Sequence, residues 1–407
     1  MKKILSSLSG IPFLKINWSI FLLAALFWSC SEDPEPEVPV ENKFLVESSL
    51  KSEYNESFLK TLAGLGGYGS FTDIIRNDIE IYRLKYKTTV GGQEVIASGV
   101  ISIPTNVSGA IPFLSAHRGT IFGDDEAPSE ANPFYAFELF AAAGYATVLP
   151  DMIGFGETKD MVQHYYNKEA NSQVAIDMMH AGREFLRGKD IELNDQLFLL
   201  GYSQGGFITI ATQQAIESDP ALNWDITAVA AGAGSYNIEF VMDDVINRGI
   251  FTAPGFLSLI VYSFNEVNGF GKSMDYYFQE PYASQIPDLL DGSSGFAEVN
   301  AALSDTLSVY FQSTFVDGLK NRTETEMINA FRANSVQDWK PNAPVRLYHS
   351  SGDQYIPIED SQQTAEVMSK NGADVTFIQV GDKSHSAASV DMVIEAVPWF
   401  ESLRTDL

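Results

Sequence analysis

The stretch Leu197 to Thr212, LFLLGYSQGGFITIAT, runs four apolar residues straight into Gly201-Tyr202-Ser203-Gln204-Gly205-Gly206 and then resumes with a second apolar run. A Gly-x-Ser-x-Gly pattern between a strand and a helix forces a very sharp turn. The serine stands exposed at the strand end, at the N-terminus of the next helix, where the dipole favours negative charge. Glycines at Gly201 and Gly205 let neighbouring segments come close. The chemistry this suits is nucleophilic attack by Ser203 Oγ, provided that a base removes its proton.

The base must come from five histidines. His385 sits in GDKSHSAAS, read as a loop between the last strand and the last helix. His349 ends the strand VRLYH and reads as structural, and His180 lies inside a helix. His164 in VQHYYNK is a candidate for a pocket rim, and His117 belongs to the loop after PFLSA. Only His385 follows a candidate acid in the chain order serine, aspartate, histidine. That acid is Asp353 in YHSSGDQYIP, beyond a strand and a glycine turn, where it can hold the His385 tautomer. Asp382 competes from three positions before His385, although an orienting acid normally comes from a different loop.

These residues need a scaffold. Alternation on both sides of Gly91-Gly92 predicts an antiparallel hairpin over Asp78 to Pro104, and Phe44 to Leu65 reads as helical. Short apolar strands then alternate with helices. The strands are AIPFLSA, YATVLP, QLFLLG, ITAVAAGAG, VRLYHSS and VTFIQV. The helices are Pro133–Ala143, Ala170–Leu186, Phe207–Ile216, Ser361–Lys370 and Val390–Leu403. The expected fold is α/β, a mostly parallel central sheet flanked by helices. Roughly a hundred residues between ITAVAAGAG and VRLYHSS break the rhythm without strand alternation. A segment that long must have structure of its own, here an inserted helical cap. Its aromatics Phe251, Phe256, Tyr262, Phe264, Tyr276, Tyr277 and Phe278 either pack as the cap's own core or partly face a pocket.

Together GYSQGG, LPDMIGFGET with HYYNKEA, RLYHSSGDQYIP and SHSAA resemble an α/β-hydrolase, and specifically its secreted lipase and esterase branch. The resemblance spans roughly Asp78 to Leu403. It implies hydrolysis of a small-molecule carboxylic ester through an acyl-enzyme, with no organic cofactor and no metal. It also implies an oxyanion hole of two backbone N–H groups. One is that of Gln204. The other comes from His117-Arg118-Gly119-Thr120, where relatives often carry His-Gly before the donor. Here Thr120 is the preferred donor and Gly119 the alternative. Asp151 in LPDMIGFGET reads as part of a turn beside the site, and Glu157 and Asp160 as solvated loop charges.

The formal charge of −27 sets nucleic-acid partners aside. Lys2, Lys3 and Lys15 precede an apolar stretch from Ile16 to Ser29, short for a membrane span, that ends at Cys30, the only cysteine. This resembles a bacterial lipoprotein signal, which implies lipidation at Cys30. The protein would then be exported and membrane-anchored, on the outer membrane's periplasmic side or at the cell surface. The alternative is an ordinary cleaved signal with an incidental cysteine. The expected organisation is a signal segment over 1–30 and a Pro/Glu-rich tether over 31–43. The hydrolase core occupies 44–234, the cap 235–343, and the second part of the core 344–407. Two other functions compete. One is a serine peptidase of the prolyl-oligopeptidase kind, for which Asp243-Asp244 would bind an amine. The other is an inactive scaffold that binds a glycan or lipid.

Overall fold

The computed structural model describes residues 42–131 and 135–406. The expected signal segment, most of the tether and Cys30 lie outside the described residues. Among the described residues nine strands form one sheet: β1 (Leu45–Tyr54), β2 (Ile79–Val90), β3 (Gln93–Pro104), β4 (Ile111–His117), β5 (Ala146–Pro150), β6 (Leu193–Tyr202), β7 (Ile226–Gly232), β8 (Val345–His349) and β9 (Val375–Gln379). Their order is β1-β2-β3-β5-β4-β6-β7-β8-β9. Pairing is antiparallel from β1 as far as β5 and parallel from β5 to β9. The fold is that of the α/β-hydrolases.

Continuous apolar runs make sense in such a sheet because both faces are covered. In β6, Leu197 and Leu199 pack into one core with α3 (Lys168–Gly188) and α4 (Gln204–Ser218). Phe198 and Leu200 point the other way, into a core shared with α1 (Glu56–Leu65), α2 (Leu139–Ala142) and α14 (His385–Leu403). Alternation of side chains along the strand thus divides one apolar run between two cores.

Between β7 and β8 lie eight helices. These are α5 (Ile238–Arg248), α6 (Pro254–Val267), α7 (Met274–Tyr277), α8 (Tyr282–Leu289), α9 (Phe296–Ala302), α10 (Leu307–Tyr310), α11 (Ser313–Lys320) and α12 (Thr325–Asn334). After β8 come α13 (Ile358–Lys370), β9 and α14.

Three local expectations need correction. Leu45–Tyr54 is a strand, not the first half of a helix: it pairs antiparallel with β2, and its mostly exposed edge position leaves no clear two-residue pattern. In the stretch expected as a helix over Pro133–Ala143, the described part is a single 3₁₀ turn, Ala136–Glu138, followed by the four-residue α2. The Glu138 carboxylate accepts the Tyr135 N–H there, and Gly144, at φ 102°, ends the element. Finally, α14 starts at His385 itself, with Ser384 as its N-cap, so this histidine opens a helix instead of lying in a loop.

Candidate active site

Ser203 occupies the junction of β6 and α4 with φ 59° and ψ −127°, a conformation L-residues rarely adopt. The neighbouring glycines are required by close packing around this turn. A Cβ on Gly201 would fall 2.3 Å from the Gly205 carbonyl oxygen, and one on Gly205 would fall 1.9 Å from the His117 carbonyl oxygen. The Ser203 N–H donates to the Gly232 carbonyl at 2.8 Å, tying the turn to β7. The hydroxyl therefore sits at the C-terminal edge of the parallel strands, at the head of a fifteen-residue helix.

His385 and Asp353 arrive from separate elements. His385 Nε2 is 2.8 Å from Ser203 Oγ, and His385 Nδ1 is 2.6 Å from Asp353 Oδ2. A carboxylate only accepts, so Nδ1 carries the proton and Nε2 offers its lone pair to the serine hydroxyl. The histidine backbone is pinned on both sides. Its N–H donates to Gln354 Oε1 at 3.0 Å, and the Tyr202 hydroxyl donates to its carbonyl at 2.7 Å. Gly352 packs so tightly on the histidine segment that a Cβ there would lie 2.0 Å from the Asp382 carbonyl oxygen.

Asp353 is held by four donors. Oδ1 accepts the N–H groups of Tyr355 (2.9 Å) and Ile356 (3.0 Å). Oδ2 accepts from His385 and from His349 Nε2, the latter at 3.1 Å. Burial alone would raise this carboxyl, but the hydrogen bonds from His349 and His385 outweigh it and hold the group well below the ordinary carboxylate range. Asp382 is exposed in the preceding turn, and its carboxylate makes no hydrogen bond among the described residues.

Gln204 follows Ser203 directly, and Thr120 borders the same spaces as Ser203. Gln204 is the first residue of α4, whose N–H has no partner within the helix. Thr120 lines the space around Ser203, and a Cβ on the preceding Gly119 would be 3.6 Å from Ser203 Cβ. Buried Arg118 braces this loop: its guanidinium donates to the Gly119 carbonyl at 3.0 Å and also to the Asp151 carbonyl.

The remaining candidates lie apart from the serine. His117 is the last residue of β4, not a loop residue. It is fully buried against Ser115 and Thr209, and burial pushes it down to about 3, so it stays neutral. His180 stacks on Phe44 at 4.7 Å. His164 does not line the space around Ser203, but its neighbours Tyr165 and Tyr166 do. Asp151 is buried and braces a turn, accepting from Ser98 Oγ (2.5 Å) and the Ser129 N–H (2.8 Å). Glu157 is an exposed charge, as expected, and pairs with Arg83 (3.0 Å) and Lys85 (3.2 Å).

Two spaces meet at Ser203, and Thr120, Phe256, Tyr355 and His385 border both. One is a narrow apolar cavity, partly open to solvent, built largely by α5 and α6 through Ile238, Val241, Met242, Val245, Leu257 and Ile260. The other lies toward Tyr68, Tyr135, Phe137, Phe296, Ser386 and Ser389. Of the seven aromatics singled out between β7 and β8, Phe251 and Phe256 line the cavity. Tyr277 and Phe278 instead join Tyr310, Phe311 and Phe315 in a separate aromatic cluster. Tyr276 is exposed and donates to Glu324 at 2.7 Å. Spacing gave no sign of Tyr202, Gln354 or His349 as partners. The first two are chain neighbours of candidate residues, but which way their side chains turn is not encoded in that adjacency.

Several known proteins are similar to this chain. The secretory lipase family matches residues 136–404. A secreted triacylglycerol lipase, LIP5, of Malassezia furfur is 22% identical over 292 residues, which are 69% of this chain and 70% of the lipase. Among solved structures, a Legionella pneumophila protein superposes with a TM-score of 0.83 at 26% identity, covering 89% of this chain and 98% of its own. The rice cell wall degrading esterase LipA of Xanthomonas oryzae superposes with a TM-score of 0.81 at 22% identity, covering 90% of this chain and all of its own (100%).

Proposed function

We propose, from the premise that this chain belongs to the secretory lipase family and is an ester-hydrolysing enzyme, that it cleaves carboxylic esters with Ser203, His385 and Asp353 as a catalytic triad. One observation carries this reading: the unbroken hydrogen-bonded line from Ser203 Oγ through His385 to Asp353, at 2.8 and 2.6 Å. Ser203 Oγ attacks the ester carbonyl carbon while His385 Nε2 takes its proton. The carbonyl oxygen becomes an oxyanion facing the N–H groups of Gln204 and Thr120. As the tetrahedral species collapses, the C–O bond to the alcohol breaks and His385 returns the proton to the leaving oxygen. Water then attacks the acyl-Ser203, again losing its proton to His385. The acid leaves and the serine hydroxyl is restored. Asp353 stays ionised throughout and balances the imidazolium.

The 235–343 segment acts as a cap in this reading. The acyl chain lies in the apolar cavity under α5 and α6, and the alcohol leaves toward Tyr68 and Phe137. A peptidase that grips a free amine finds little support. Asp243 is engaged by Arg322 (2.9 Å) and Asp244 by Arg248 (2.8 Å). The first test is turnover of a p-nitrophenyl ester series. The chain should hydrolyse these esters and Ser203→Ala should not. A chain inert toward every ester would instead favour the inactive binding scaffold.

Export fits the family's secretory character, and anchorage through lipidated Cys30 is part of this proposal. Several acyl chains hold a protein stably at a membrane, whereas one gives only marginal binding. The wild type should therefore fractionate with membranes, and Cys30→Ser should be released or keep its signal. A mature N-terminus other than Cys30 on a fully released wild type overturns the anchor.

A further inference from the structure

We propose that His349 is a positioning residue for this reaction. By donating its Nε2–H to Asp353 Oδ2, it fixes the carboxylate oxygen that His385 must meet. The inference rests on the triad reading above.

His349 ends β8 and is completely buried. Its Nε2 is 3.1 Å from Asp353 Oδ2 and 3.1 Å from the Ile356 carbonyl oxygen. Both partners only accept, so Nε2 carries a proton. Its Nδ1 lies 2.7 Å from Ser361 Oγ in α13, and in the neutral ring it accepts that hydroxyl's hydrogen. Every polar atom of the imidazole is engaged, and the ring cannot turn without losing these contacts.

The consequence falls on Asp353. Two backbone N–H groups hold Oδ1, so without His349 rotation about the Cβ–Cγ bond would be resisted only there and by His385 itself. His349 adds a second donor to Oδ2, so this oxygen is anchored independently of the base it meets, His385 Nδ1 at 2.6 Å. A strand end that needed only to be filled would do so at less cost with an apolar side chain, since a buried imidazole requires partners for both nitrogens. Its one partner with a chemical role is the same oxygen that orients the base. His349 makes no contact with the reacting ester, so its effect should reach the rate through His385 alone.

The experiment compares His349→Phe, His349→Gln and Ser361→Ala in the full chain. It measures steady-state kinetics on p-nitrophenyl acetate and p-nitrophenyl decanoate, and the downfield proton resonance of His385 Nδ1–H, identified by its loss in His385→Ala. Phenylalanine keeps the ring but lacks the donor. It should lower kcat by about 10- to 100-fold, the worth of one hydrogen bond to a charged group. KM should stay within about twofold, and the loss should be equal for both esters. The Nδ1–H resonance should shift or broaden. Glutamine places an amide N–H at nearly the same reach and should recover most of the rate. Ser361→Ala, which frees the ring to reorient, should fall between. Wild-type kcat in His349→Phe, a loss confined to KM or to one acyl length, or glutamine no better than phenylalanine overturns the proposal. Should His349→Phe fail to fold, Ser361→Ala decides: a wild-type rate with an unmoved resonance overturns it equally. Failure of the triad reading itself would look different, as turnover surviving in Ser203→Ala.

Discussion

Two regions bound the same serine and are built on different principles. At the sheet edge each residue answers to a bond-length requirement. Ser203 needs a positive φ, Gly205 must pass the His117 carbonyl with no Cβ, and Asp353 must collect four donors. Across the cavity, α5 and α6 need only present apolar volume, and Val241, Met242 and Val245 could be exchanged for many other aliphatic combinations. Geometry that tolerates tenths of an ångström writes itself into the sequence as a motif. Volume that tolerates a methylene does not. The wall that would carry the chemistry and the wall that would set specificity are therefore unequally legible.

The comparison breaks most sharply at the two acids near His385. Asp353→Asn keeps the shape but offers His385 an amide, which favours the wrong tautomer. Losses of about 10⁴ in kcat are expected for such a change. Asp382→Asn removes an equal charge from the adjacent exposed turn and should leave kcat within about twofold. Kinetics on one short ester, with Ser203→Ala as the floor, reads both. If the two results were exchanged, the geometric demands placed on the acid turn would be misassigned.

A smaller effect separates the two aromatic populations between β7 and β8. Val245→Phe fills part of the cavity and should cut the decanoate-to-acetate ratio of kcat/KM by about tenfold or more, as pocket methylenes are worth 10- to 200-fold each. Phe311→Ala, in the separate cluster with Phe278 and Phe315, should leave that ratio unchanged. It should instead destabilise the fold by about 3–5 kcal/mol, read by denaturant titration. A ratio that moves in both variants would mean that the segment responds as one body.

The same contrast sets what could be read in advance. The strands from Ile111 onward declared themselves because each is an apolar run bounded by turns, and Ser203 because its glycines are obligatory. The strand Leu45–Tyr54 did not, since its identity depends on pairing with β2 some thirty residues later and not on its own pattern. His349 sits in plain view at the end of VRLYH, yet its ring is committed by Ser361, Asp353 and the Ile356 carbonyl, which chain spacing does not bring together. The division of the aromatics was equally hidden. Phe256 and Phe278 look alike in sequence, and only the packing of α6 and α10 separates them.

The smallest expected effect concerns Asp360, seven positions after Asp353 and also buried. Among the described residues its carboxylate accepts only two N–H groups, those of Tyr236 (2.9 Å) and Asn237 (3.0 Å), at the head of α5. Burial raises it to about 7, with the two hydrogen bonds only partly opposing. Its sign is therefore opposite to that of Asp353. Between the unfolded value of 3.8 and the folded value of about 7, the folded chain retains a proton that the unfolded chain has released. Stability from this group is complete below that window, declines as pH rises through it, and levels off above. Asp353, held low, contributes stability above its unfolded value that is lost only as pH falls below it. Buried Glu138, raised to about 8, adds a slope of the same sign as Asp360, so the difference between wild type and Asp360→Asn is the quantity to follow. That difference should shift toward the variant between pH 4 and 7 by at most about 1.4 kcal/mol per pH unit. Urea titrations at several pH values measure it. Two parallel curves through that window would mean that two N–H groups suffice to keep Asp360 ionised, and that donor number does not separate the two acids.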